Sequence, residues 1–257
     1  MERSVVGIDI GTHQVLVLVA EIDEHNSVRI VGVGRVPAKG IKKGVVVNVA
    51  QATEAISEAV DQAEQSSGYQ IERAYVGVTG ANITSRNSTG VVGVSRRDRG
   101  IGPDDVDRVL EAAGAIVLPQ NQELIHILPR TYTVDGQEGV RNPLGMHGFR
   151  LEVEAHVVMG SSTALQNLRK CVRGAGIQIG ELVLTSMAAG NAVLSENEKD
   201  MGVVLVDIGE GTADIAIFID GTVWHTKSLP LGGEYVTSDI AIGLRLPSEV
   251  AEQVKVS

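Results

Sequence analysis

Val203-Val204-Leu205-Val206-Asp207-Ile208-Gly209-Glu210-Gly211-Thr212 restates a pattern already met near the start of the chain, Val5-Val6-Gly7-Ile8-Asp9-Ile10-Gly11-Thr12. In each copy an apolar run leads into Asp, then Ile-Gly, then a small turn that reaches Thr, and a second β-rich run follows (15–20 and 213–219). The two aspartates lie 198 positions apart, too far for a solenoid repeat and suited to two related halves of one molecule. The apolar run reads as a buried strand, and the glycines let the chain reverse where other residues resist. A tight Gly/Thr hairpin presents backbone N–H groups that can cradle phosphate oxygens. A carboxylate at the strand end can hold the water shell of a Mg²⁺ ion. One copy alone reads equally well as a plain hairpin with a surface Asp. Two copies facing each other would hold a nucleotide's phosphates from both sides, through Gly11, Thr12, Gly211 and Thr212, with Asp9 and Asp207 beside the metal.

The 257 residues allow one large domain or two smaller ones. With 43% hydrophobic and 21% charged residues a normal packed core is expected, and with aromatics at 3% that core must be built from Val, Ile, Leu and Ala. A net charge of −10 argues against a nucleic-acid partner, which normally meets a basic face. The run Arg96-Arg97-Asp98-Arg99 is the local exception and reads as a solvated loop. Cys171, the single cysteine, cannot form an internal disulfide and fits a reducing compartment, as a small core residue on a helix. The first strand begins by Val5, leaving no visible signal peptide, and no apolar run reaches the length of a membrane span. The six histidines show no metal spacing, and His126 and His156 fall at polar-face positions of strands.

Strands are expected over 5–10, 15–22 and 28–36, then a helix capped by Asn48 with Gln51 as capping-box partner, ending at Gly68, then a strand over 73–78. From about Gly80 to Gly160 the texture changes. A polar, Ser/Thr/Asn-rich segment (82–95) precedes a helix opened by Pro103-Asp104-Asp105. Strands follow over 123–134 and 149–159, joined by a Gly-rich segment (135–148) read as an exposed loop. A helix from Ser161-Ser162-Thr163, a short strand (181–184) and a helix (186–194) containing Ala188, Ala189 and Gly190 lead into the second copy of the motif. A strand (222–228), a helix (234–244) and one more helix close the chain. The pattern predicts an α/β protein with mixed sheets. Residues 1–80 and 161–200 form one half, 81–160 an inserted α+β subdomain, and 201–257 the start of a second half. Gly32-Val33-Gly34-Arg35 is a weak dinucleotide signal, since no third glycine or helix follows.

With both Asp-Ile-Gly hairpins in place, the chain resembles the actin, Hsp70 and sugar-kinase superfamily, whose halves are actin-like (ribonuclease H-like). Within it the chain is most similar to the FtsA family of actin-like bacterial cell-division proteins. Gly7–Thr12 resembles that family's first phosphate motif and Val206–Ile215 its second. Leu182–Ala192 is similar to the segment connecting the halves, and Leu231–Ala241 to the glycine pair and helix after the second motif. Inside the insert, Asn87–Gly90, Asp107–Ala113, Val134–Gly139 and Arg150–Glu154 resemble the family's subdomain 1C. The nucleotide-binding residues this implies are Gly11, Thr12, His13, Gln14, Asp207, Gly209, Gly211, Thr212, Gly232 and Gly233, with Asp9 and Asp207 reaching Mg²⁺ through water.

The resemblance implies an ATP-binding protein that polymerises, anchors the FtsZ ring to the cytoplasmic face of the membrane at midcell and recruits later division proteins, hydrolysing ATP slowly if at all. The insert's exposed edge would make filament contacts. Three departures stand out. Gln14 occupies a position that usually carries Lys, so it can donate a hydrogen bond but brings no charge. Glu210 replaces a glycine, and its carboxylate should repel phosphate unless it points away. The chain also stops before the family's adenosine-binding Gly-Gly turn and its C-terminal membrane-targeting helix, so a partial sequence that binds ATP weakly or not at all and tends to aggregate is expected. The alternatives are a sugar-type kinase of the same superfamily, for which no sugar-binding constellation is evident, and a pilus-assembly actin-like scaffold.

Overall fold

The computed structural model describes residues 3–95, 99–115 and 118–257; Arg96, Arg97 and Asp98 of the basic run lie outside the described residues. The chain opens with β1 (Arg3–Ile10), β2 (Gln14–Ile22) and β3 (Val28–Pro37). The two-residue strands β4 (Ile41–Lys42) and β5 (Val45–Val46) precede α1 (Val49–Ser67) and β6 (Arg73–Val78). Next come β7 (Ile83–Gly93), α2 (Pro103–Gly114), β8 (Gln122–Val134), β9 (Gln137–Val140) and β10 (Arg150–Ser161). After α3 (Ser162–Gly174), β11 (Gln178–Leu184), α4 (Thr185–Val193) and α5 (Glu196–Met201) the second copy of the motif begins. It forms β12 (Val203–Ile208) and β13 (Ala213–Ile219), followed by β14 (Thr222–Leu229), α6 (Gly233–Leu244) and α7 (Ser248–Val256).

The first sheet runs β11-β6-β1-β2-β3, parallel where β1 meets β6 and β6 meets β11, antiparallel elsewhere. Period-two alternation decides its faces: Val6, Ile8 and Ile10 of β1 and Val15, Val17 and Val19 of β2 all turn to one side, where α1 and α3 cover them. The α1 helix begins where the Asn48 side chain accepts the Gln51 N–H (3.1 Å) and ends at Gly68 in the left-handed region. It lies unusually close to β3. A Cβ on Gly34 would fall 1.8 Å from the Ala59 carbonyl oxygen and one on Gly32 2.5 Å from Ser67 Cβ, so this Gly-x-Gly serves helix-on-strand packing.

The second sheet, β12-β13-β14, is wholly antiparallel. Phe218 on its inner face meets α4 at Gly190, where a Cβ would come 2.4 Å from the ring, so the small residue there admits the phenyl group.

Residues 83–161 contain the four-stranded antiparallel sheet β7-β10-β8-β9. α2 covers one face, packing Val109 and Ala113 on Leu151, Val153 and Ala155. Its other face docks on β14. The Ser85 hydroxyl donates to the Thr226 carbonyl (2.9 Å), the Arg130 guanidinium stacks 3.7 Å above the Trp224 ring, and Arg141 reaches Asp200 (3.0 Å) and Asp220 (3.4 Å). Arg130 is the extra residue of a β-bulge, since Glu154 faces Thr131 and Ala155 faces Pro129, and this turns it onto the tryptophan.

Two expectations need correction. The 135–148 segment is not all loop: Asp135 and Gly136, both at positive φ, turn the chain so that β9 pairs back on β8. His126 and His156 do sit on polar faces of strands, but those faces are buried. His126 Nε2 accepts the Leu184 N–H (3.1 Å), while His156 lies between Asn87 Oδ1 (2.8 Å) and Thr226 Oγ1 (2.9 Å). The four-residue β9, the β4–β5 hairpin and α5 carry too few residues for periodicity to reveal them. Cys171 is buried, as a core thiol should be.

Candidate nucleotide-binding site

The two Asp-Ile-Gly turns adopt the same closure. Gly11 N–H donates to the Gln14 carbonyl at 3.0 Å, and Gly209 N–H to the Thr212 carbonyl at 2.9 Å. Each hairpin therefore has a two-residue loop, Thr12-His13 or Glu210-Gly211, and Thr12 corresponds in space to Glu210, with Gln14 corresponding to Thr212. The two loops meet. A Cβ on Gly211 would lie 2.9 Å from Thr12 Oγ1, and His13 Nδ1 stands 3.6 Å from Glu210 Oε2. Glu210 thus turns its carboxylate toward the imidazole of the opposite loop.

Gly232 and Gly233 are brought to the second hairpin. Gly233 N–H donates to the Gly209 carbonyl and Glu234 N–H to the Glu210 carbonyl, both at 2.9 Å, so α6 begins directly on this loop. A Cβ on Gly232 would fall 2.3 Å from the Glu210 oxygen, which leaves glycine as the residue that fits.

Asp9 and Asp207 close their strands on the cleft side, and a third carboxylate joins them. Asp214 pairs across the hairpin with Asp207, is buried, and accepts hydroxyl hydrogen bonds from Thr79 (2.5 Å) and Thr212 (3.2 Å). Burial, then the charges of Asp207 and Asp214, push the Asp9 carboxyl above the usual range; burial and Asp214 do the same to Asp207. Gly77 leaves space beside Asp9, since a Cβ there would sit 3.1 Å from its Oδ1. Like charges gathered this way call for a cation. Among the described residues no three side chains converge closely enough to ligate a metal directly. Carboxylate oxygens are the donor type a hard cation such as Mg²⁺ takes, and Asp9 and Asp207 are the residues that would reach one through water.

Asp214, Thr79 and Lys43 are the residues sequence reasoning missed. Asp214 left a signal, because it shares the inward register of Ala216 and Phe218, where a carboxylate is out of place unless used. Thr79 left none. Lys43 sits in the β4–β5 turn, whose Gly44 N–H donates to Thr12 Oγ1 at 3.2 Å.

Comparisons with known proteins give the family and the fold. Residues 80–159 match the model of the SHS2 domain inserted in FtsA, and residues 204–257 match that of cell division protein FtsA. The cell division protein FtsA of Pseudomonas aeruginosa is 46% identical over 99% of this chain and 60% of its own length; that of Bacillus subtilis is 44% identical over 97% of this chain and 57% of its own. The chain belongs to the FtsA family. It spans about 60% of the length of the curated FtsA relatives it matches. The fold is actin-like. The chain is similar to a protein of the PilM–PilN type IV pilus biogenesis complex (TM-score 0.70, 18% identity, 98% of this chain and 69% of that one). It is also similar to MreB5 of Spiroplasma citri bound to AMPPNP (TM-score 0.50, 14% identity, 98% of this chain and 61% of that one). The FtsA insert model begins and ends within a few residues of β7 and β10, the outer limits of the four-stranded sheet.

Proposed function

We propose that this chain is the nucleotide-holding part of an actin-like cell-division protein that binds Mg-ATP, polymerises, and anchors the FtsZ ring to the cytoplasmic membrane while recruiting later division proteins. The carrying observation is the meeting of the two Asp-Ile-Gly hairpins beside three carboxylates. Backbone N–H groups of the Gly11–Gln14 and Gly209–Thr212 turns would receive the phosphates, with Gly232 and Gly233 framing the second turn. Asp9 and Asp207 would orient metal-bound water and not act as nucleophiles. Mg²⁺, when bound, supplies positive charge that offsets the triphosphate and the aspartates. ATP then serves mainly as an assembly ligand, with slow hydrolysis at most.

Residues 1–80 with 161–200, 81–160 and 201–257 are the proposed first half, insert and beginning of the second half, the insert making filament contacts. Family membership supports the division role, and an actin-like neighbour solved with AMPPNP supports a nucleotide ligand. No helix among the described residues is long and apolar enough to cross a membrane.

Asp207→Asn tests the site. Its affinity for Mg-ATP should fall about tenfold, the scale of one charge-assisted contact, while affinity for ATP in excess chelator stays unchanged. Equal binding by both forms with and without Mg²⁺ would count decisively against the assignment.

A further inference from the structure

The β4–β5 hairpin does not belong to either phosphate turn, yet it touches both. Its Gly44 N–H is bound to Thr12 Oγ1 of the first loop. A Cβ on Gly211 of the second loop would lie 3.1 Å from Lys43 Cα, and one on Gly44 would lie 3.0 Å from Gly80 Cα, beside the Thr79 that holds Asp214. Lys43 thus occupies the meeting point of three loops. Its backbone is in the left-handed region (φ 50°), followed by Gly44 at φ 73°. A two-residue turn of this kind ordinarily takes Asn or Gly first, and a long side chain there costs free energy that some other use must offset.

The side chain is half-buried and cationic. Its ammonium donates to the Tyr235 hydroxyl at 2.8 Å and stands 5.0 Å from the centre of that ring, so it reaches from the first half to α6 of the second. Both contacts are to one side chain, that of Tyr235, and not to a carboxylate. Asp9, Asp207 and Asp214 concentrate negative charge where the two phosphate turns meet, and Gln14 at the foot of the first hairpin supplies no positive charge.

We infer that Lys43 is the cation that receives the terminal phosphate of a nucleoside triphosphate, with Tyr235 holding its ammonium across the cleft until the phosphate takes it. This rests on the nucleotide reading above and adds a discriminating residue to it. An ammonium is a compact point charge with three rotatable donors, so it can exchange a phenol for a phosphate oxygen by side-chain rotation alone. Because the contact is to the terminal phosphate, it favours the triphosphate over the diphosphate.

The test uses Lys43→Asn, which removes the charge and keeps a residue that tolerates the turn, with Asp207→Asn as the control for the site. The 257-residue chain and both variants are titrated with Mg-ATP and Mg-ADP to millimolar concentration, after circular dichroism has established that the folds match. Lys43→Asn should weaken Mg-ATP binding about tenfold to a hundredfold and change Mg-ADP binding by less than about threefold. Tyr235→Phe should bind Mg-ATP as well as the unaltered chain or better, because the resting competitor is weakened. If Lys43→Asn binds Mg-ATP normally while Asp207→Asn does not, the lysine assignment is wrong and the nucleotide site stands. Equal losses for Mg-ATP and Mg-ADP would reduce Lys43 to a structural part of the turn and also overturn the inference. No saturable binding by the unaltered chain would overturn the lysine assignment for this chain, which then holds no phosphate for the ammonium to receive.

Discussion

At the scale of single residues, His156 ties the stability of the fold to pH. It is fully buried between Asn87 Oδ1 and Thr226 Oγ1, so the neutral ring donates through Nδ1 and accepts the threonine hydroxyl through Nε2. Burial first, then His225 and Arg130, lowers its pKa from 6.5 to about 4. The folded state therefore resists a proton that the unfolded chain accepts. The stability it contributes is complete above pH 6.5 and is lost as pH falls toward 4. The full span corresponds to roughly 3 kcal/mol. Asp9 and Asp207, with raised carboxyl pKa values, act in the opposite sense on acidification, so the variant comparison isolates the histidine. Urea unfolding at pH 7 and pH 5 should show His156→Gln losing less stability across that interval than the unaltered chain. Parallel losses would show that His156 does not govern the acid response.

At the scale of elements, packing between α2 and β7 turns on one glycine. A Cβ on Gly90 would fall 2.1 Å from the Val109 carbonyl oxygen and 2.6 Å from the Ala113 nitrogen, both in the helix backbone. Backbone cannot rotate out of the way, so Gly90→Ala must lift α2 from the sheet. The expected loss is about 2 kcal/mol or more, as for other overpacked cores. Gly93 lies on the same strand, and its Cβ would meet nothing nearer than 3.9 Å. Gly93→Ala should leave the urea midpoint within about 0.5 kcal/mol of the original. A Gly90→Ala protein as stable as Gly93→Ala would refute the close-contact account.

At the scale of the whole molecule, the internal repeat meets two different fates. Val6, Ile8 and Ile10 of β1 are buried beneath α1, whereas their counterparts on β12, Val204, Val206 and Ile208, are 56%, 52% and 69% exposed. Ile215 and Ile217 of β13 continue that open face beside them. An apolar surface of this kind drives association. The chain should bind 8-anilinonaphthalene-1-sulfonate and self-associate with rising concentration. Replacing Val204, Val206 and Ile208 together by Thr should lower both signals while β12 stays paired with β13, because Thr keeps the β-branched shape suited to a strand. Unchanged dye binding in the triple variant would place the apolar surface elsewhere.

Sequence alone determined what depends on neighbours along the chain. The two Asp-Ile-Gly turns, the alternation of β1 and β2, the Asn48 and Gly68 ends of α1 and the small residues of α4 follow from local geometry and period, and they were enough to expect an α/β protein with mixed sheets and phosphate-binding turns; the actin-like fold was expected from the family resemblance. Tertiary structure decided what depends on residues far apart. Thr79 reaches Asp214 across 135 positions, and Lys43 reaches Tyr235 across 192. The face holding His156 reads as solvent-facing until β14 covers it. The β4–β5 and β8–β9 pairings contain too few residues to carry a period of their own. Side-chain alternation records that a strand has two faces; which face meets water is settled only when another element packs against it.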